Sequence, residues 1–227
     1  MEMGGEQIDK WLFEFKLNGF VLFRNLFPAS LIDQINEQFA QLYQLERRAV
    51  EGDEDAGRRG PGRYVMNLGA LAERFGGPLN DPRVRNHPII EELAGRILGK
   101  WKHGRRLIEC VERGSEFMGW HTDIYYETPP DRTAPKTTVK LLLQIPLVDV
   151  GESNGPTEVI PGSHRMHYFE GTAAVNRLPR IYSAKILTAR GDCFLREADL
   201  IHRGTPNLTD QVRPLYTQIY KAADEGG

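Results

Sequence analysis

The sequence predicts a mainly β fold, a barrel or two-sheet sandwich braced by helices from its N-terminal part. Three observations carry that expectation. From about residue 101 the apolar pattern shortens into strand-like runs, "RLIECVE", "TTVKLLLQIPLV", "SAKILTA", "DCFLRE" and "PLYTQIYKA", parted by Gly, Pro, Asn and Asp turns. Before that point the periodicity is mainly helical. Nowhere do helical and strand-like stretches alternate in the βαβ manner of a doubly wound sheet, and no GxGxxG or P-loop argues otherwise.

The elements follow in order. "GFVLFRNLF" is a short apolar run after Gly19 and reads as a strand. Pro28 then opens an amphipathic helix, "SLIDQINEQFAQLYQLERR", in which Leu31, Ile35, Phe39 and Leu42 recur at three- and four-residue steps; Ser30 is its candidate N-cap. "EGDEDAGRRGPGR" (51–63) is charged and Gly-rich, a loop composition. The stretch 51–68, with Arg63, Tyr64 and Asn67, is a candidate lid. "PIIEELAGRILG" is a second helix, closed by Gly99. A single domain over 1–227 is expected, with a helical lead-in to about residue 100 and a β core over about 101–222.

Composition narrows the function classes. The 227 residues carry a net charge of −2, which gives no bulk attraction for nucleic acid or an anionic membrane. Runs such as "LLLQIPLV" are too short to span a bilayer, and "MEMGGEQIDKW" lacks the pattern of a secretory leader. Cys110 and Cys193 form no CxxC and read as free buried thiols in a reducing cytoplasm. A cytoplasmic enzyme acting on a small molecule is the expectation.

The chemistry starts at "GWHTDIYYE" (119–127). In an extended strand His121 and Asp123 project from one face roughly 6–7 Å apart, within reach of one cation. Alone, the pair is as readily polar decoration at a strand mouth. Imidazole with a carboxylate suits Fe(II), Mn(II) or Zn(II). His87 and His103 lie in or just past the lead-in, and His164 and His167 follow a turn. His202, in "DLIHRGTPN" near the end of the β region, can complete a two-His-one-carboxylate triad if antiparallel strands bring the two ends together. Such a triad leaves three coordination positions open, which suits a bidentate 2-oxo acid and O2. The far carboxylate of the acid needs a cationic anchor, and Arg213, eleven residues after His202, is the candidate.

With these residues in view, the sequence resembles the phytanoyl-CoA dioxygenase family of Fe(II)/2-oxoglutarate-dependent oxygenases. The resemblance rests on "WHTD", "NGPTEVIPGSH" (154–164), "GDCFLREADLIHRGTPN" (191–207) and the arginine of "VRPLYTQIY", and "LNGFVLFRNLFPASLIDQI" is similar to the family's strand-then-helix opening. It implies a double-stranded β-helix (jelly-roll, cupin-like) core. It also implies that His121, Asp123 and His202 bind Fe(II) and that Arg213 binds the C5 carboxylate of 2-oxoglutarate. The implied reaction spends O2 and 2-oxoglutarate, releases succinate and CO2, and hydroxylates an unactivated C–H; with no CoA-binding signature evident and little room for an extra recognition domain, the expected setting is secondary metabolism. Halogenases similar to the family lack the carboxylate, so Asp123 points to hydroxylation or to desaturation or ring closure branching from it.

Other roles are expected around that frame. "PGSH", with His164, reads as a structural turn. Lys140, Leu142 and Gln144 share one face of their strand, which is either a polar cavity wall or the wet side of a sheet; Lys140, Gln144, Thr205 and Thr217 are candidate cosubstrate contacts. Trp120, Tyr125, Tyr126 and Arg196 neighbour the ligands and are candidate substrate contacts. Both histidine ligands must be neutral at the metal-binding nitrogen, so iron binding is expected to weaken below roughly pH 6. A non-oxidative metallo-cupin, or an inactive binding protein of the same fold, stands as the alternative.

Overall fold

The computed structural model describes residues 5–49, 60–124, 137–166, 172, 175–178 and 181–223. It opens with α1 (Gly5–Asn18) and β1 (Phe20–Phe23), hinged at Gly19, whose φ of 81° is left-handed. The long amphipathic α2 spans Ala29–Ala49. Its start is held by the Pro28 carbonyl, which accepts from the Leu31 N–H at 2.9 Å, so Ser30 lies inside the first turn and does not cap it. The lead-in continues through β2 (Arg63–Asn67), α3 (Leu68–Phe75), the short α4 (Pro82–Arg85) and α5 (Pro88–Leu98), which Gly99 ends with a φ of 71°.

The strands that follow are β3 (Trp101–Val111), β4 (Lys140–Pro146), β5 (Thr157–Val159), β6 (Ala184–Ile186), β7 (Cys193–Glu197), β8 (His202–Gly204) and β9 (Arg213–Ala222). They form two sheets. The larger is antiparallel, in the order β1-β7-β4-β9-β3-β2, and the smaller has the order β6-β5-β8. This is the mainly antiparallel jelly-roll expected, with one difference. The lead-in supplies both edge strands of the larger sheet. Arg63, Tyr64 and Asn67 are therefore part of β2, paired against β3, and not part of a lid. The rest of that candidate lid, residues 51–59, lies outside the described residues. Five residues of "RYVMN" beside a Gly-rich run carry too little periodicity to announce a strand.

The larger sheet has two unlike faces because side chains alternate along each strand. On one, Leu141, Leu143 and Ile145 of β4 join Leu195, Tyr216 and Tyr220 in the main core, against Ile32, Ile35 and Phe39 of α2 and Ile90 and Leu93 of α5. Fully burying each such side chain contributes roughly 1.5–3 kcal/mol. On the other face, Lys140, Leu142 and Gln144 turn into a cavity between the sheets. The polar-cavity reading of that face is the one the fold adopts.

Cys110 and Cys193 are buried and free, and burial pushes both thiols up. Among the described residues no helix is long and apolar enough to cross a membrane.

Candidate active site

The smaller sheet brings the two ends of the β region together. His121 pairs with His202 through two backbone hydrogen bonds, His121 N–H to the His202 carbonyl at 3.0 Å and the reverse at 2.9 Å. The bridge adds His121 to the edge of β8. It does not continue as a strand. Thr122 Oγ1 donates to the Ile124 carbonyl at 3.1 Å, and the Asp123 N–H turns to the Ala198 carbonyl at 2.8 Å. Asp123 thus reaches the metal-facing side by a bend and not by strand alternation.

The result is a compact donor set. One ligand atom from each of His121, Asp123 and His202 lies within 4.8 Å of the other two, and the imidazole centroids are 4.3 Å apart. Each histidine Nδ1 sits 2.9 Å from a backbone carbonyl, Gly119 for His121 and Leu200 for His202. A carbonyl can only accept, so Nδ1 carries the proton and Nε2 keeps a free lone pair. Burial, helped by the Arg196 guanidinium, lowers His202 to about 3, so it is neutral at any physiological pH. That replaces the expected loss near pH 6 for this ligand. Burial works against an ionised Asp123, but Arg196 and His202 outweigh it and hold the carboxyl below its ordinary range. Two imidazoles and one carboxylate, with no fourth protein donor among the described residues, fit a ferrous ion.

Arg196 is 2% exposed and grips this centre. Its Nη2 donates to Asp123 Oδ2 at 2.5 Å and its Nε to Gln144 Oε1 at 2.7 Å. The same Oδ2 lies 3.6 Å from His202 Nε2, so the guanidinium grips the carboxylate where it faces the histidine. Lys140 Nζ donates to the Asp123 carbonyl at 2.5 Å and pins the same loop. Sequence proximity made Arg196 a substrate candidate; its position makes it a clamp on the carboxylate ligand.

The triad opens on a cavity of about 360 Å3, a volume in the range of small-molecule sites. Arg213 lines it and is 4% exposed. Its Nε donates to the carbonyl of Gly155 at 3.0 Å, while its Nη1 is buried without a partner. Gly155, in the "NGP" turn, holds a φ of 81° beside Val111 and Asn207, a conformation side chains resist. Burial lowers Arg213 to about 10, with Glu109 opposing and Arg63 adding to the fall; it stays cationic at neutral pH. An orphaned buried guanidinium nitrogen is costly, and a carboxylate would relieve it.

The remaining candidates divide. Lys140 and Gln144 line the cavity. Thr205 does not: its hydroxyl donates to the Pro156 carbonyl at 2.7 Å. Thr217, fully buried on the cavity face between lining Gln144 and Leu107, is not itself a lining residue and donates to Glu109 Oε1 at 3.1 Å. Trp120 faces away from the cavity, packed with Ile160, Val175 and Ile201 under the Arg203 guanidinium, 4.3 Å from its ring. Neighbours in an extended chain point in opposite directions, so a Trp beside a ligand is turned from the ligand's partner. Tyr125, Tyr126 and His167 lie outside the described residues. "PGSH" is structural, as expected: Ser163 Oγ accepts from the Ile201 N–H at 2.9 Å, one residue before His202, and Gly162 N–H donates to Asn18 at 2.8 Å. His164 packs against Gly19, and neither it, His87 nor His103 joins the triad.

Sequence reasoning missed the wall that β3 supplies. Arg105, Leu107, Glu109 and Val111 all line the cavity at two-residue spacing, a signal that was readable once that face was known to point inward. It also missed Asn207. This fully buried side chain donates to the carbonyls of Val111 (2.8 Å) and Gln211 (2.7 Å) and so fixes the turn that delivers Arg213.

Known proteins repeat this architecture. Solved structures with the same fold include AviO1 from Streptomyces viridochromogenes Tue57, at 19% identity and a TM-score of 0.69 over 99% of this chain and 98% of that one. The non-haem α-ketoglutarate-dependent epimerase SnoN from nogalamycin biosynthesis matches at 20% identity and 0.68, over 97% and 84%. The carbocyclase SnoK from the same biosynthesis matches at 17% and 0.65, over 98% and 85%. In sequence, the chain is 25% identical to the dioxygenase AneA of Aspergillus aculeatus over 214 residues, 87% of this chain and 67% of AneA. It is 27% identical to the ectoine dioxygenase of Bordetella bronchiseptica over 158 residues, 66% of this chain, and spans about half of that relative, 47%. The description of the phytanoyl-CoA dioxygenase (PhyH) family matches residues 15–215, and the chain belongs to that family.

Proposed function

We propose that the protein is an Fe(II)- and 2-oxoglutarate-dependent dioxygenase that uses O2 to hydroxylate an unactivated C–H bond of a small molecule in secondary metabolism, releasing succinate and CO2. The observation that carries this reading is the pairing, in one cavity, of the His121–Asp123–His202 donor set with an Arg213 guanidinium whose Nη1 has no partner. The 227 residues work as one dioxygenase domain, with two reduced, buried thiols that suit a cytoplasmic setting.

When bound, iron supplies the redox chemistry that couples decarboxylation of 2-oxoglutarate to C–H oxidation. The residues do the rest. His121 and His202 present Nε2, and Asp123 presents one oxygen. Arg213 forks onto the C5 carboxylate of 2-oxoglutarate and sets its orientation. Arg196 and Lys140 hold the Asp123 loop still. Leu107, Leu142, Met118 and Ile219 give the cavity an apolar wall that keeps water from the reacting carbon. Asp123 supports hydroxylation over halogenation, because the carboxylate occupies the position a halide would need.

The activities of SnoN and SnoK, an epimerase and a carbocyclase, favour a second outcome in which hydrogen is removed and no oxygen is delivered. One experiment tests both. Anaerobic Fe(II) followed by 2-oxoglutarate should produce a weak visible charge-transfer band, and 18O2 should then yield succinate and a product carrying label. Unlabelled product with equal succinate selects the second outcome. Absence of the band, with tight zinc retention instead, sinks the reading in favour of a non-oxidative metallo-cupin.

A further inference from the structure

The two ends of the cavity are unequally charged once the proposed cofactors are placed in it. At one end Arg213 and Arg63 face Glu109 and the C5 carboxylate of 2-oxoglutarate, two charges against two. At the other, Arg196, Lys140 and Arg105 add to a ferrous ion's two charges, five in all, against three among the described residues and the cosubstrate: Asp123, the C1 carboxylate and the buried Asp199 that acts on Lys140. The histidines do not redress this, and Asp123 is already committed to Arg196 and the metal. A surplus of cations in a partly desolvated cavity is costly until an anion enters it.

Arg105, unlike the cations beside the metal, is too far from Arg213 to serve the cosubstrate. Arg213 is opposite Val111 in the β9–β3 register, and Arg105 stands six residues further along β3, roughly 20 Å at strand rise. The five-carbon chain of 2-oxoglutarate spans only about 5 Å. Two observations indicate that donors of this group remain unspent within the protein, beyond the one that Lys140 gives to the Asp123 carbonyl and the two that Arg196 gives to Asp123 and Gln144. Arg105 is exposed at the rim and, among the described residues, makes no hydrogen bond or ion pair. Arg196 Nη1 is buried without a partner, in a side chain whose direction is fixed by its bonds to Asp123 and Gln144. Between them lies an apolar floor, since Leu142 pairs with both Arg196 and Ile219 across β7, β4 and β9. Arg105 and Lys140 stand on the two strands flanking β9, about 10 Å apart, a gap two long side chains can close on one anion.

We propose that the organic substrate carries an anionic oxygen group, carboxylate or phosphate, on an apolar body, and that Arg105 and Lys140 receive the anion while Leu142 and Ile219 carry the body. The idea rests on the dioxygenase reading. It is tested on the full chain loaded anaerobically with Fe(II) and 2-oxoglutarate, by following the visible band as 3-phenylpropionate, 2-phenylethylphosphonate or neutral 3-phenylpropionamide is added. The better anion should perturb the band, saturably, at least tenfold below the amide, and its identity tells carboxylate from phosphate. Arg105→Glu, a substitution at an exposed position that the fold tolerates, should abolish the preference and favour 3-phenylpropylamine. Equal response to acid, phosphonate and amide overturns the proposal. So does no response to any anion, or an unchanged preference in R105E. Failure of the band to form before any probe is added overturns the dioxygenase reading instead, so the two failures are distinct.

Discussion

The two sheets build the site by different means. The smaller one places the candidate metal ligands through backbone: a two-bond bridge between His121 and His202, a bend at Asp123, and a carbonyl behind each imidazole. The larger one places cations and polar groups through register, with Lys140, Gln144, Arg196, Arg213 and Arg105 standing at alternate positions on long, regular strands. Backbone-defined ligands are rigid and few, as a metal with narrow geometric demands requires. Register-defined side chains are easily exchanged without disturbing the ladder, which suits the part of a site that must adapt to different substrates. The comparison predicts that lesions in the small sheet abolish chemistry, whereas those in the large sheet alter binding.

The largest effect is expected at Asp123. Asp123→Ala removes a ligand and leaves Arg196 buried without its charge partner, so iron-dependent consumption of 2-oxoglutarate should fall to background, a loss of a thousandfold or more on the order of typical catalytic-ligand deletions. Succinate production above a tenth of wild type would break the assignment of the metal site to the small sheet.

Next comes Arg213, the large-sheet counterpart. Arg213→Met keeps the apolar stem and deletes the guanidinium. Losing a charge-assisted, buried bidentate contact costs about 2–3 kcal/mol, so the KM for 2-oxoglutarate should rise roughly 30- to 100-fold with iron affinity little changed. An unchanged KM would remove Arg213 from the cosubstrate site, while a parallel loss of iron binding would erase the division between the sheets.

Arg196 tests where that division is bridged. It stands on β7 of the large sheet yet holds Asp123. Arg196→Met should weaken Fe(II) binding by about 10- to 100-fold, the usual cost of losing a group that orients a metal ligand, and equilibrium metal titration reads this without turnover. Iron affinity equal to wild type would show that the bend alone positions Asp123.

These contrasts also explain what the sequence disclosed. The gathering of His121, Asp123, His202 and Arg213 around one cavity was legible because a short motif and its spacing to a distal histidine suggest the candidate set from residue types alone. The mainly β class was legible from the change of period near residue 101, and the jelly-roll only from the family resemblance. The cavity wall was less so. Arg105 and Glu109 reach the site only through the pairing of β3 with β9, and register is not written in local pattern. Trp120 misled because adjacency to His121 along the chain is opposition in space. Arg63 misled because β2 is too short to outweigh its glycine-rich flank. It is in fact a buried guanidinium whose Nη2 is held by the carbonyls of Glu116 (2.8 Å) and Thr205 (2.9 Å).

The smallest effect is acid-dependent and separates the sheets without turnover. Burial, reinforced by Arg196, lowers His202 to about 3 from an unfolded value near 6.5. The unfolded chain therefore takes up a proton at His202 as pH falls below about 6.5, and the folded chain does not until about 3. Stability of the metal-free protein should fall across that window, with His202 adding at most about 1.4 kcal/mol per pH unit. Asp123, held below its ordinary range by Arg196 and His202 against the effect of burial, adds its own loss only below about pH 4. Between pH 6.5 and 4 the slope thus has a His202 component that His202→Asn should remove, as read by urea denaturation at successive pH values. Arg213→Met should leave that component in place, because its guanidinium is not among the groups that shift His202. An identical slope in His202→Asn and wild type would mean that His202 is not held neutral by its burial, and with it would go the reason the small sheet presents an unprotonated ligand in mild acid.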